Sequence, residues 1–240
     1  MTIWDRLIWL ALILGGFMLG SVMFSRILPR LIKGKDVTKL SDDGNPGAAN
    51  VFSTCGIVLG MLCLLLDMGK GFAPVLLAQH LVDIHSMRFS AVLIAPVLGH
   101  ALAPLNHFRG GKCIATAFGV TLALLPTTCI VLVLAGLYIA FSTVLKISPN
   151  RIRSIVTFSL FGIFCLVWTF FTRSYSIGLG CAGISVIAVL RHTRRFCVVP
   201  ESARADRAAE TESEAETAHG ACSFCVVSVD TSRAYRDAIA

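Results

Sequence analysis

Apolar stretches long enough to cross a bilayer follow one another along most of this chain, and that succession constrains the fold more than any motif does. Residues 3–24, 51–82, 89–105, 113–145, 152–171 and 175–190 are each dominated by aliphatic and aromatic side chains. A helix needs about 20 such residues to cross a hydrocarbon core about 30 Å thick. With 55% hydrophobic residues, 15% charged residues and a mean hydropathy of +0.77, the chain is too apolar for a soluble globule. It reads as an all-α, polytopic membrane protein. Residues 3–24 are its first span rather than a cleaved signal peptide. Trp4, Asp5 and Trp9 stand where a basic segment belongs, and no small-residue cleavage site ends the run.

Two of the stretches are awkward. Residues 113–145 exceed the usual 17 to 25 of a single span, and Pro126, followed by Thr127 and Thr128, divides them into two short helices. Residues 51–82 contain Asp67 and Lys70 yet are read as one span, which gives about seven crossings. Basic residues test that count, because short cytoplasmic connections carry the excess of Lys and Arg. With the N-terminus outside, the inner connections hold Arg30, Lys33, Lys35 and Lys39, then Arg109 and Lys112, then Lys146, Arg151 and Arg153, then Arg191, Arg194 and Arg195. The outer ones hold little beyond Arg88 and Arg173. The net charge of +7 is therefore mainly an orientation signal, with attraction to anionic headgroups second; it calls for no nucleic acid partner.

The character changes at Pro200. Glu201, Asp206, Glu210, Glu212, Glu214 and Glu216 alternate with small residues that offer too little apolar area to offset ordering. The domain reading is a transmembrane domain over 1–199 and a polar cytoplasmic tail over 200–240. Cys222 and Cys225 in the tail have redox or metal spacing but no second pair, so no metal is expected. Cys55, Cys63, Cys129, Cys165 and Cys181 lie in apolar stretches and behave as small apolar residues.

Chemistry is left to the inner loops. Gly110, Gly111 and Lys112 stand directly before an apolar helix, where open backbone amides and the positive end of the dipole suit a phosphate; a solvated basic loop anchoring the helix end would look similar. Gly44, Asn45, Gly47 and Asn50 form a second such stretch, with glycines open to positive φ and amides that can bond to their own backbone or to ligand hydroxyls. Asp67 and Lys70 share one helix face at i, i+3. They are either a structural pair at a helix break or a pair facing a polar site. His100 and His192 fall near the inner surface, the latter as a hydrogen-bond donor, a proton carrier or one more basic residue.

Taken together, Gly20-Ser21, residues 44–51, residues 67–71 with Pro74, Gly99-His100, residues 109–112, Ala115-Thr116 and Arg191-His192 resemble, in order and spacing, the PlsY family of bacterial glycerol-3-phosphate acyltransferases. The resemblance runs from about Gly20 to Arg195. It implies seven helices, a site at the cytoplasmic face of the inner membrane, and lysophosphatidic acid made from acyl phosphate and glycerol 3-phosphate with no cofactor or metal. Carried over by position, it implies catalytic roles for Asn45, Asp43, Lys112 and His192. It implies substrate binding by Gly44, Gly47, Asn50 and Ser53 in the first loop, and by Arg109, Gly110, Gly111 and Thr116 around the second. Lys70, His100 and Arg195 complete the binding set. Asp43 replaces the family's serine, Ser53 its arginine, Cys113 a glycine and Arg195 an asparagine, so Arg195 is expected to return the charge missing at Ser53. No nucleophilic serine or cysteine with a base is evident, which favours direct transfer from acyl phosphate. A family member that has lost catalysis and binds lipid or a partner protein, and a small solute transporter, remain as alternatives. The expected state is a monomer.

Overall fold

The N-terminal apolar run folds as α1 (Ile3–Gly20), and its first turn explains the aspartate found there. The Thr2 hydroxyl accepts from the Asp5 amide at 3.2 Å while the Asp5 carboxylate accepts from the Thr2 amide at 2.7 Å, a reciprocal cap for an otherwise open helix end. Few residues of α1 are buried within the protein, whereas about half or more of those in α6 (Arg88–Leu102) and α10 (Tyr175–Thr193) are, so α1 lies at the perimeter and the other two lie at the centre. The structure, a computed structural model, describes residues 2–41 and 44–193. The expected tail, with its cysteine pair, lies outside them, as do Asp43 and Arg195.

Between α1 and the long α5 (Ile57–Leu81) the chain builds short helices where the sequence suggested a basic connection: α2 (Phe24–Lys33), α3 (Val37–Leu40) and α4 (Ala48–Cys55). Ten residues of α2 rise only about 15 Å, too little to span. Ser25 and Pro29 face the protein, whereas Ile27, Leu31 and Ile32 are exposed. Residues 51–82 are thus not one span. The chain turns at Gly56, whose φ of +91° is costly for other residues, and α4 folds back with α3 onto the first half of α5 around Val37, Val51, Cys55, Leu59 and Cys63. Beyond that turn α5 continues without a break past Lys70 and Gly71.

The division at Pro126 is present: α7 (Ile114–Ala123) and α8 (Ile130–Ile139) are separated by a turn, and a π-helical turn (Ala140–Val144) extends α8. Gln79 of α5 closes that turn, donating to the Ala123 carbonyl at 2.8 Å and accepting from the Thr127 hydroxyl at 2.9 Å. Cys129 is exposed beside it rather than embedded in a span. α9 (Asn150–Thr172) completes the set. Among the described residues, five helices are long and apolar enough to cross a membrane, and 114–123 and 130–144 form two shorter apolar ones.

Small residues let the helices approach at backbone distance, as expected where lipid gives no hydrophobic drive for helices to associate. A methyl group at Gly20 would overlap the Pro96 carbonyl, one at Gly99 the Phe17 carbonyl, and one at Gly119 the Met68 carbonyl. These contacts join α1 to α6 and α5 to α7. Larger side chains fill the middle, notably Phe89 and Leu93 of α6 and Phe158 and Phe161 of α9. Phe118, Tyr138 and Phe158 pack in sequence, the first pair tilted and the second edge to face, with ring centroids 5.6 and 6.0 Å apart, and the Tyr138 hydroxyl donates to Ser154 at 2.9 Å.

Candidate active site

The C-terminal ends of α6 and α10, the start of α7 and the middle of α5 meet around the loop that carries the second glycine pair. After α6 the backbone reverses at Ala103 (φ +45°), makes a short 3-10 turn (Pro104–Asn106) and doubles back, so that the Gly111 amide donates to the His100 carbonyl at 3.1 Å. A side chain at Gly110 would collide with the carbonyls of His100 and Ala101, and one at Gly111 with the His100 ring. Close approach is therefore what these glycines supply. Positive φ occurs instead at Ala103, His107, Phe108 and Cys113.

Arg191, at the end of α10, reaches across to this loop. Its Nε donates to the Gly111 carbonyl at 3.0 Å and a terminal nitrogen donates to the Gly110 carbonyl at 2.5 Å. The next residue, His192, is buried. Its Nδ1 lies 2.7 Å from the Ala188 carbonyl, which can only accept, so Nδ1 bears the proton and Nε2 keeps a lone pair. Among the described residues no group hydrogen-bonds that buried Nε2. Lys112 and Arg151 are both within electrostatic reach of the ring. Arg151, from the first turn of α9, donates to the carbonyls of His192 at 2.6 Å and Thr193 at 2.7 Å, closing the exposed carbonyl end of α10. Thr116 in the first turn of α7 and His100 are also buried, and among the described residues neither Thr116 Oγ1 nor His100 Nδ1 has a hydrogen-bond partner. Arg109 is exposed at the rim.

Asp67 and Lys70 prove to be a closed network and not a helix break. The Lys70 ammonium lies 2.8 Å from one Asp67 oxygen and also donates to the Val22 carbonyl, while the other Asp67 oxygen accepts from Ser25 at 2.5 Å. Both residues are 2% exposed, so the pair ties the start of α2 to the middle of α5. Lys70 is nonetheless near enough to act electrostatically on His100 and Cys113.

In the first loop Gly44 adopts φ +61°, but Gly47 is extended, at φ −99°, and its missing side chain makes room for the Asn45 amide. The Asn50 side chain donates to the Asn45 backbone carbonyl at 2.8 Å, and the exposed Ser53 hydroxyl donates to the Asn50 carbonyl at 3.0 Å. α2 links this loop's helix to the other loop: Lys33 donates to the Cys55 carbonyl at 2.5 Å and Arg26 to the Asn106 side chain at 2.5 Å.

Cys113 separates the second loop from α7. Burial pushes its thiol up to about 12, so it stays protonated at neutral pH and is no nucleophile. Among the described residues no three His, Cys, Asp or Glu side chains gather to hold a metal ion.

The sequence profile of the glycerol-3-phosphate acyltransferase family matches residues 10–197. The glycerol-3-phosphate acyltransferase of Thermotoga petrophila is 36% identical over 188 residues, covering 78% of this chain and 90% of its own. That of Myxococcus xanthus is 41% identical over 138 residues, 58% of this chain and 70% of its own. Among solved structures, PlsY (YgiH), an integral membrane glycerol 3-phosphate acyltransferase, superposes in its glycerol 3-phosphate form with a TM-score of 0.66. The two chains are 30% identical, with 77% of this chain and 88% of that one covered. Its lysophosphatidic acid form gives a TM-score of 0.62 at 28% identity, with 77% and 87% covered.

Proposed function

The chain belongs to the glycerol-3-phosphate acyltransferase family, and from that membership we propose that it takes its acyl group from acyl phosphate and works where the loop 109–113 meets the end of α10. It is a membrane acyltransferase that makes lysophosphatidic acid for phospholipid synthesis. In the proposed reaction a hydroxyl of glycerol 3-phosphate attacks the acyl carbonyl, the carbon–oxygen bond to phosphate breaks, and inorganic phosphate leaves. The His192 Nε2 lone pair receives the hydroxyl proton. Two phosphate-bearing reactants repel each other, and the cations of Lys112 and Arg109 offset that repulsion beside the glycine amides. Asn45, Asn50 and the backbone of residues 44–47 are assigned to hold the glycerol moiety, with Asp43, Ser53 and Arg195 placed there by sequence position alone.

The observation that carries this reading is the loop folded hard against α6, with a lysine on one side and an unbonded, buried imidazole nitrogen near it. Seven crossings by α1, α5, α6, α7, α8, α9 and α10, with the N-terminus outside, would put this junction at the cytoplasmic face of a bacterial inner membrane. The support is that α6 and α10 end, and α7 and α9 begin, on the same side, where Lys112, Arg151 and Arg191 gather. One chain supplies every group named, so a monomer suffices. Full-length protein in bilayers, given acyl phosphate and glycerol 3-phosphate, should release phosphate and lysophosphatidic acid. Lys112→Ala should lower kcat/KM about a hundredfold. Failure of the wild type to release phosphate, or an unaltered rate in the variant, refutes the proposal.

A further inference from the structure

No step above uses Arg191, yet it makes two directed bonds to the loop that the reaction depends on. We propose that Arg191 is a positioning residue: by gripping the Gly110 and Gly111 carbonyls together it sets the shape of the phosphate cradle and locks that cradle to His192. This rests on the acyltransferase reading.

The argument starts from the planarity of the peptide bond. A carbonyl and the amide of the following residue point in opposite directions across one peptide plane. With the Gly110 and Gly111 carbonyls both drawn to the guanidinium, the amides of Gly111 and Lys112 must turn away from it. The Gly111 amide turns to the His100 carbonyl at 3.1 Å, which staples the loop to α6. The loop is therefore held from two sides by groups on two helices, and the orientation of its remaining peptide plane is fixed as a consequence.

Charge reinforces geometry. Two carbonyl oxygens near a phosphate would repel it, and a guanidinium bonded to both screens their negative ends. The grip also reaches the proton acceptor. Arg191 and His192 are consecutive on the last turn of α10, and Arg151 holds the carbonyls of His192 and Thr193 from behind. Two arginines thus tie α9 to the end of α10 and that end to the loop, so imidazole and cradle are held as one unit. Lysine cannot replace Arg191, because a single ammonium on a flexible stem does not hold two successive carbonyls in a fixed fork.

The test uses full-length protein in bilayers and compares wild type, Arg191→Lys and Arg191→Gln, alone and with Lys112→Ala. Arg191→Lys should raise KM for glycerol 3-phosphate about tenfold, with a smaller fall in kcat. In the Lys112→Ala background the same change should matter less than about threefold, because the cradle through which Arg191 acts is already impaired. Hydrogen exchange of substrate-free protein should show faster exchange confined to residues 109–113 in both Arg191 variants. Additive losses in the double variant, or an unchanged KM with unchanged exchange, overturn the proposal. So does failure of both Arg191 variants to yield monodisperse protein, since that makes the residue a determinant of the fold. An inactive wild type sinks the acyltransferase reading instead, and leaves the exchange experiment to decide whether Arg191 shapes the loop.

Discussion

Cys113 occupies left-handed backbone at φ +67°, a conformation disfavoured by about 1–2 kcal/mol for residues with a side chain. It stays there because its neighbours over-determine it: the side chain is enclosed, with its sulfur 3.6 Å from the carbonyls of both Val97 and Gly111. A protonated, enclosed thiol takes no part in acyl transfer. Cys113→Ala should therefore keep turnover within about threefold of wild type, even though losing a small buried group lowers stability by roughly 1 kcal/mol. A thiol-alkylating reagent at pH 7 should leave Cys113 unmodified, as read by mass spectrometry of the peptide; rapid alkylation or an inactive alanine variant would argue for a thioester route. At this scale the sequence displays chemistry better than partners. Lys112, His100 and His192 stand out because cation and imidazole beside glycine are rare in an apolar chain. Arg191 is visible beside His192 as one more inner basic residue, but its role is not, because what it binds is backbone 80 and 81 positions earlier, and a carbonyl leaves no trace in the order of side chains.

Helices show the same division. The break between α7 and α8 is legible, since Pro126 removes a donor and biases its predecessor out of helix. The separation of α4 from α5 is not, because Gly56 sits in an unbroken apolar run and only the packed structure shows it at positive φ. Asp67 and Lys70 are visible as charges in a greasy segment, while Ser25 and the Val22 carbonyl, which complete their network, lie far upstream. Breaking that network should be costly. Lys70→Met leaves an enclosed carboxylate without its cation and should destabilise the fold by about 3–5 kcal/mol. Combining it with Asp67→Asn should recover most of the loss, because the amide still accepts from Ser25 without carrying charge. Unfolding in micelles, followed by tryptophan fluorescence, reads both. A single variant as stable as wild type would show that the pair does not anchor α2.

For the whole molecule the number of crossings turns on α7 and α8, which are shorter than the five long helices. Cys129, exposed in the turn joining them, is a native reporter. If both helices cross, a membrane-impermeant maleimide should label Cys129 in intact cells and the label should vanish in Cys129→Ser. A cysteine placed at exposed His107 should be labelled only after permeabilisation. Protection of Cys129 in intact cells would mean that α7 and α8 enter and return on one side. The extension of α8 to Val144 gives it a height of about 22 Å, against about 34 Å for the 23 residues of α9 beside it. Leu132, Ile139 and Val144 on α8 are exposed, so lipid must meet this shorter wall directly. If α8 spans upright, the acyl tails along that flank must compress or splay to keep water off its ends, and the protein carries with it a lopsided collar of thinned bilayer.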